Sequence, residues 1–144
     1  MLITNHVLAG ALVGAVSRGP VSAFVTGVAS HFALDVVPHF GDIDDDEFLR
    51  VAVVDGLVGL TALGLVWRHT AADRRTRVLA GMLGSCAPDA DKPSLLFFGR
   101  SPFPAVLDRF HAVIQRESRR RLPQEVAVAG LGALLVRSRV TLRR

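Results

Sequence analysis

Apolar positions in this chain come in runs and in steps of three and four, and no stretch alternates with a period of two. That pattern predicts an all-α fold. A first helix is expected from about Thr4 to Val16. Ser17-Arg18-Gly19-Pro20 stops it, because a Gly-Pro pair ends one helix and proline can begin the next. The second helix is expected from about Val21 to Val37, ended by Pro38. The loop FGDIDDD leads into a third, from about Glu47 to Trp67, and its acidic residues suit a helix N-terminus, where the backbone dipoles favour negative charge. RHTAADRRTR is a polar turn before a fourth helix, about Asp73 to Ser85. KPSLLFFGRSPFP, with three prolines, reads as a loop. A fifth helix is expected from about Ala105 to Arg121, with Leu107, Phe110 and Ile114 on one face, and a sixth from about Gln124 to Val136. The expected architecture is a compact bundle of five to six helices over residues 1–137, followed by a frayed basic tail over 138–144.

Composition moves this bundle towards a membrane. The 144 residues suit one domain, half of them are hydrophobic, and the mean hydropathy is +0.38, high for a soluble domain of this size. Glycines inside VLAGALVGAV and VVDGLVGLTALGLVW let helices approach closely. The third helix nearly reaches the ~20 apolar residues needed to span hydrocarbon; the second is borderline, and the first and sixth are short. A membrane-embedded bundle with lipid as its partner is therefore expected. The positive-inside rule puts Arg18 and the Arg68 to Arg77 turn in the cytoplasm. Sixteen of the seventeen basic residues are Arg, yet no aromatic residues interleave them in a binding pattern, so nucleic acid is not an expected partner. Cys86 is the only cysteine, which excludes an intrachain disulfide. No Lys or Arg precedes the first apolar run, so a cleaved signal peptide is not expected.

Candidate chemistry lies on one level of the bundle. His6 precedes the first turn by about 12 residues and His31 follows it by about 12, so at about 1.5 Å per residue both stand near 19 Å from it. Similar counting about the next two turns brings Asp35, Asp55, Asp89 and Asp91 to the same layer, and His111 can join from the fifth helix. His31 and Asp35 share a helix face, and the full pattern is H-x3-D-x3-H, ending at His39. Imidazole and carboxylate together suit zinc, manganese or iron, and the number of candidates allows one or two ions. Asp42, Asp44, Asp45 and Asp46 read as solvated loop and helix cap.

At these residues, NHVLAGALVGA, SHFALDVVPH and APDAD, the chain resembles the small bacterial membrane-bound metal-dependent hydrolases and, more distantly, zinc-dependent phospholipase C. The resemblance implies a helical bundle in the bacterial inner (cytoplasmic) membrane with a metal centre, zinc above all, and phosphoester or lipid-headgroup hydrolysis. It implies His6, His31, Asp35, Asp55 and Asp89 as metal-site residues, with His111 beside them. The chain departs from that pattern in lacking an H-R-G-x-T-H stretch, and its one Trp is Trp67 rather than an amino-terminal ligand. Asp91 or His39 would assist as a supporting group or general base. The rival expectation is a non-enzymatic membrane protein whose His/Asp layer is a hydrogen-bond network that fixes helix packing.

Overall fold

The computed structural model describes residues 1–141. Among these, seven α-helices form one bundle without strands: α1 (Ile3–Val16), α2 (Pro20–Asp35), α3 (Asp45–His69), α4 (Ala72–Cys86), α5 (Asp91–Phe98), α6 (Ala105–Ile114) and α7 (Leu122–Val136). α1 is central and packs against α2, α3, α4 and α7. Val7, Leu8 and Ala11 of α1 meet Val66, Val78, Met82 and Val136 in the buried core.

Glycine sets the closest approaches. A Cβ on Gly10 would lie 2.5 Å from the Gly81 carbonyl oxygen, and one on Gly27 would lie 2.9 Å from the Ser85 amide nitrogen. α4 is thus pressed backbone to backbone against α1 and α2, as small residues allow. Its arginines collect at the opposite end, where Arg77 donates to the Ser17 carbonyl at 3.2 Å and Arg75 to the Thr70 carbonyl at 3.1 Å.

Three boundaries differ from expectation. KPSLLFFGRSPFP is not all loop: α5 occupies its first half, with Pro93 in the first turn, where its missing N–H costs little. Gly99 closes α5 at φ 68°, a left-handed cap. α6 stops at Ile114 rather than Arg121, because the following residues are drawn into an extended pairing with His39. The His39 amide donates to the Arg116 carbonyl at 3.0 Å, and the Ser118 amide donates to the His39 carbonyl at 2.9 Å. Finally, Arg137–Thr141 continues α7 as a π-helical turn that buries Val140, whose carbonyl accepts from Arg74 at 3.2 Å. The expected basic tail is therefore ordered as far as Thr141, and residues 142–144 lie outside the described residues.

α3 is the one helix among the described residues that is long and apolar enough to cross a membrane. Only 11% of its apolar window is buried, so it is not a core helix. Leu57, Leu60 and Leu65 on α3, Val21 and Val25 on α2, and Leu131 and Leu134 on α7 all face outward.

Candidate metal centre

The site grows from the last turn of α2. His31 and Asp35 lie on one helix face, and both are fully buried. The tight α2–α4 contact brings the Ser85 carbonyl to 2.8 Å from His31 Nδ1. A carbonyl only accepts, so Nδ1 carries the proton, and in the neutral ring Nε2 presents a bare lone pair. A backbone carbonyl behind the ring is the usual way a ligating histidine is oriented.

Other elements bring partners to that lone pair. His111 of α6 places Nε2 3.1 Å from His31 Nε2 and 3.0 Å from Asp35 Oδ2. His31 Nε2 is itself 3.1 Å from Asp35 Oδ2. Asp89, in the 3-10 turn Ala87–Ala90 after α4, sets Oδ1 3.9 Å from His31 Nε2 and 3.8 Å from His111 Nε2. One atom from each of these four residues falls within 4.8 Å of all the others. Zinc bonds of about 2.0–2.1 Å in a tetrahedron require ligand atoms about 3.3 Å apart, so the observed spacing fits one divalent ion after small adjustments.

His6, from the first turn of α1, stacks on His31 with centroids 4.0 Å apart. Its Nε2 is 3.3 Å from Asp35 Oδ1 and 3.9 Å from Asp89 Oδ2. Both ring nitrogens are buried without a hydrogen-bond partner among the described residues. Buried nitrogens in this state are costly. A cation between His6 and the two carboxylates would satisfy Nε2, so the donor chemistry fits a metal.

Positive charge already borders the cluster. The Met1 amino group lies 3.2 Å from Asp35 Oδ1, and Lys92 Nζ lies 2.5 Å from Asp89 Oδ1. Burial alone would raise the pKa of Asp89; the Lys92 ammonium, followed by His6 and His31, outweighs it and holds the carboxyl below its ordinary range. Burial likewise pulls Lys92 down, but Asp89 overrides it and raises the ammonium above its usual value. Gln115 extends its amide to 3.1 Å from His111 Nε2.

Of the six metal-site residues expected from the sequence, His31, Asp35, Asp89 and His111 converge and His6 stands beside them. Asp55 is used elsewhere. Its carboxylate accepts from the Ile3 amide at 2.5 Å, the Thr4 amide at 3.1 Å and the Thr4 hydroxyl at 2.6 Å. α1 has no side-chain cap of its own and no acid in its first turn, so α3 supplies the missing anion to its N-terminus. His39 is held apart by the Val37 carbonyl at 2.9 Å from Nδ1, with Glu117 3.8 Å from Nε2. Asp91 accepts from the Lys92 amide at 2.8 Å. An Asp55→Ala variant should lose about 1–2 kcal/mol of stability, the cost of a lost helix cap, while keeping metal affinity within about twofold, since no ligand is removed. Thermal unfolding and zinc titration of the same preparation check both halves.

Glu125 of α7 is the buried group that sequence patterning missed. It accepts from the Leu2 amide at 3.1 Å, the Asn5 side-chain amide at 2.6 Å and the Phe40 amide at 3.2 Å. It thereby ties the start of α1 to the chain after α2. A lone acid in the first turn of an apolar helix looks like an ordinary dipole partner, so only its burial separates it.

Comparison with protein-family models, curated proteins and solved structures finds no match to this chain.

Proposed function

We propose that this chain is a membrane-associated metal-dependent hydrolase acting on a phosphoester, with a lipid headgroup as the preferred substrate. The observation that carries the reading is the convergence of His31 Nε2, His111 Nε2 and two carboxylates on one point, with the His31 tautomer set by Ser85. Three imidazoles and two carboxylates suit zinc, with manganese or iron as alternatives. A bound divalent ion supplies Lewis acidity, lowering the pKa of a water and polarising a phosphoryl oxygen. His31, His111, Asp35 and Asp89 would hold it, with His6 as a further donor. Ser85 orients His31 through Nδ1, the nitrogen that faces away from the cluster.

The exposed apolar face of α3 supports the membrane setting. α1 to α4 alternate in direction, so Arg18, Arg68, Arg74, Arg75 and Arg77 gather at the end away from the site. The turn after α7 brings Arg137 and Arg139 to the same end, through the Arg74–Val140 hydrogen bond.

The reading is tested by assaying carbonate-washed membranes that carry the protein, with bis(p-nitrophenyl) phosphate as substrate and added zinc or manganese. Metal-dependent turnover is expected, reduced at least ~10²-fold in His31→Ala. Equal rates in the two preparations would sink it.

A second reading has an observation behind it. The Met1 amino group and Lys92 already bring positive charge to Asp35 and Asp89, as a purely structural network would. In that reading His6 Nε2 rests on Asp35 Oδ1, 3.3 Å away, and Nδ1 stays without a hydrogen-bond partner among the described residues.

A further inference from the structure

Lys92 is the only lysine in a chain with sixteen arginines, and it stands at the candidate metal centre. The distinction matters chemically. Lysine is a compact charge on a flexible stem and can swing between partners, whereas the planar fork of arginine favours one fixed bidentate geometry. Lys92 Nζ is bound to Asp89 Oδ1, the oxygen that also faces His31 at 3.9 Å and His111 at 3.8 Å. The ammonium and a divalent ion would therefore draw on the same oxygen. Asp91, 4.0 Å from Nζ, offers the lysine a second carboxylate just outside the cluster. The Lys92 side chain is 34% exposed while Asp89 is 13% exposed, so the lysine reaches from the surface down to the ligand.

We propose that Lys92 competes with the metal for Asp89 and, once displaced towards the surface, binds the anionic phosphoryl group of the substrate. The proposal rests on the reading of the cluster as a metal site. A tethered ammonium at this position does two things. It lowers metal affinity through competition for one oxygen and through repulsion of a second cation. It also places a positive charge at the rim of the site, where a phosphate can approach as its partner. The surface next to it is apolar: Leu95, Leu96, Phe97 and Phe98 of α5 are all exposed. Both an inorganic phosphate and the headgroup of an embedded lipid could reach Lys92 from there.

The test uses the full chain in detergent micelles and zinc alone, titrated against a chromophoric chelator. Lys92→Met removes the charge and keeps the bulk of the stem; Lys92→Arg keeps the charge. Zinc should bind about tenfold more tightly to Lys92→Met than to the wild type, roughly the effect of removing one close charge pair, and Lys92→Arg, whose fork holds a carboxylate at least as firmly, should bind zinc no more tightly than the wild type. Inorganic phosphate and dihexanoyl phosphatidate are then titrated into each zinc-loaded protein. At least one of them should bind about tenfold more weakly to Lys92→Met. Weakening for the phosphatidate alone identifies a lipid headgroup as the anion, and weakening for both identifies phosphate itself. Unchanged or weaker zinc binding in Lys92→Met overturns the competition, and unchanged affinity for both anions overturns the recognition role. A wild type that binds no zinc removes the metal reading itself, and is thus distinguishable from a failure of the Lys92 proposal.

Discussion

Asp35→Asn is expected to purify without stoichiometric metal, its zinc affinity lowered at least ~10²-fold. Asp35 is the common partner of the cluster: His111 and His31 lie 3.0 and 3.1 Å from Oδ2, while His6 and the Met1 amino group lie 3.3 and 3.2 Å from Oδ1. Asparagine keeps the shape but loses the charge, and its NH2 can only donate where Asp35 accepts. The Met1 ammonium would then be buried beside a neutral amide. Breaking one member of a buried ion pair costs about 3–5 kcal/mol, so the variant should also unfold at lower temperature. Metal content and thermal unfolding check the two effects, and Asp55→Ala is the control, because it should show only a stability loss. A metal-replete Asp35→Asn protein would remove Asp35 from the ligand set.

Gly81→Ala is expected to show that the site depends on how closely the helices pack. A Cβ there would sit against the Gly10 carbonyl and 2.8 Å from Gly14 Cα, all of it backbone. No rotamer change relieves such a contact, so α4 must move away from α1. Overpacking of this kind costs about 1–3 kcal/mol, and the immobile neighbours put Gly81 at the upper end. α4 carries Ser85 and leads into Asp89, so the shift also disturbs the orienting carbonyl of His31 and one carboxylate. Zinc affinity should fall about tenfold, as when a group that orients a ligand is displaced. Gly64 supplies the contrast: open space surrounds its Cβ position, so Gly64→Ala should be neutral or stabilise α3 by about 0.5–1 kcal/mol. Chemical denaturation of both variants beside the wild type tests the pair. Equal stability of Gly81→Ala and Gly64→Ala would refute the packing account.

Residue counting could locate the site's level because successive helices reverse direction at Arg18-Gly19, at the acidic loop and near Thr70. Distance from each turn then gives height. It could not give the direction in which a side chain points around its helix. Asp55 shows the difference. It stands at the level of Thr4, but its carboxylate goes to the first amides of α1. His31 and Asp35 were safer because one turn of one helix relates them directly. Glu125 and Lys92 escaped for another reason. Each lies in a segment whose local pattern has an ordinary explanation, and only long-range packing brings them to α1 and to Asp89. α5 was hidden by Pro93, a helix breaker in the interior that is harmless in the first turn. The early end of α6 depends on backbone pairing with His39, which no side-chain periodicity records.

The most direct measurement is the metal content of the detergent-purified protein, by elemental analysis before and after mild chelation. One equivalent of zinc, manganese or iron, lost with chelation and absent from Asp35→Asn, is the result expected from the convergence of His31, Asp35, Asp89 and His111. A well-folded wild-type protein that neither carries nor takes up a divalent ion would contradict the metal centre and leave the His/Asp layer as a structural hydrogen-bond network.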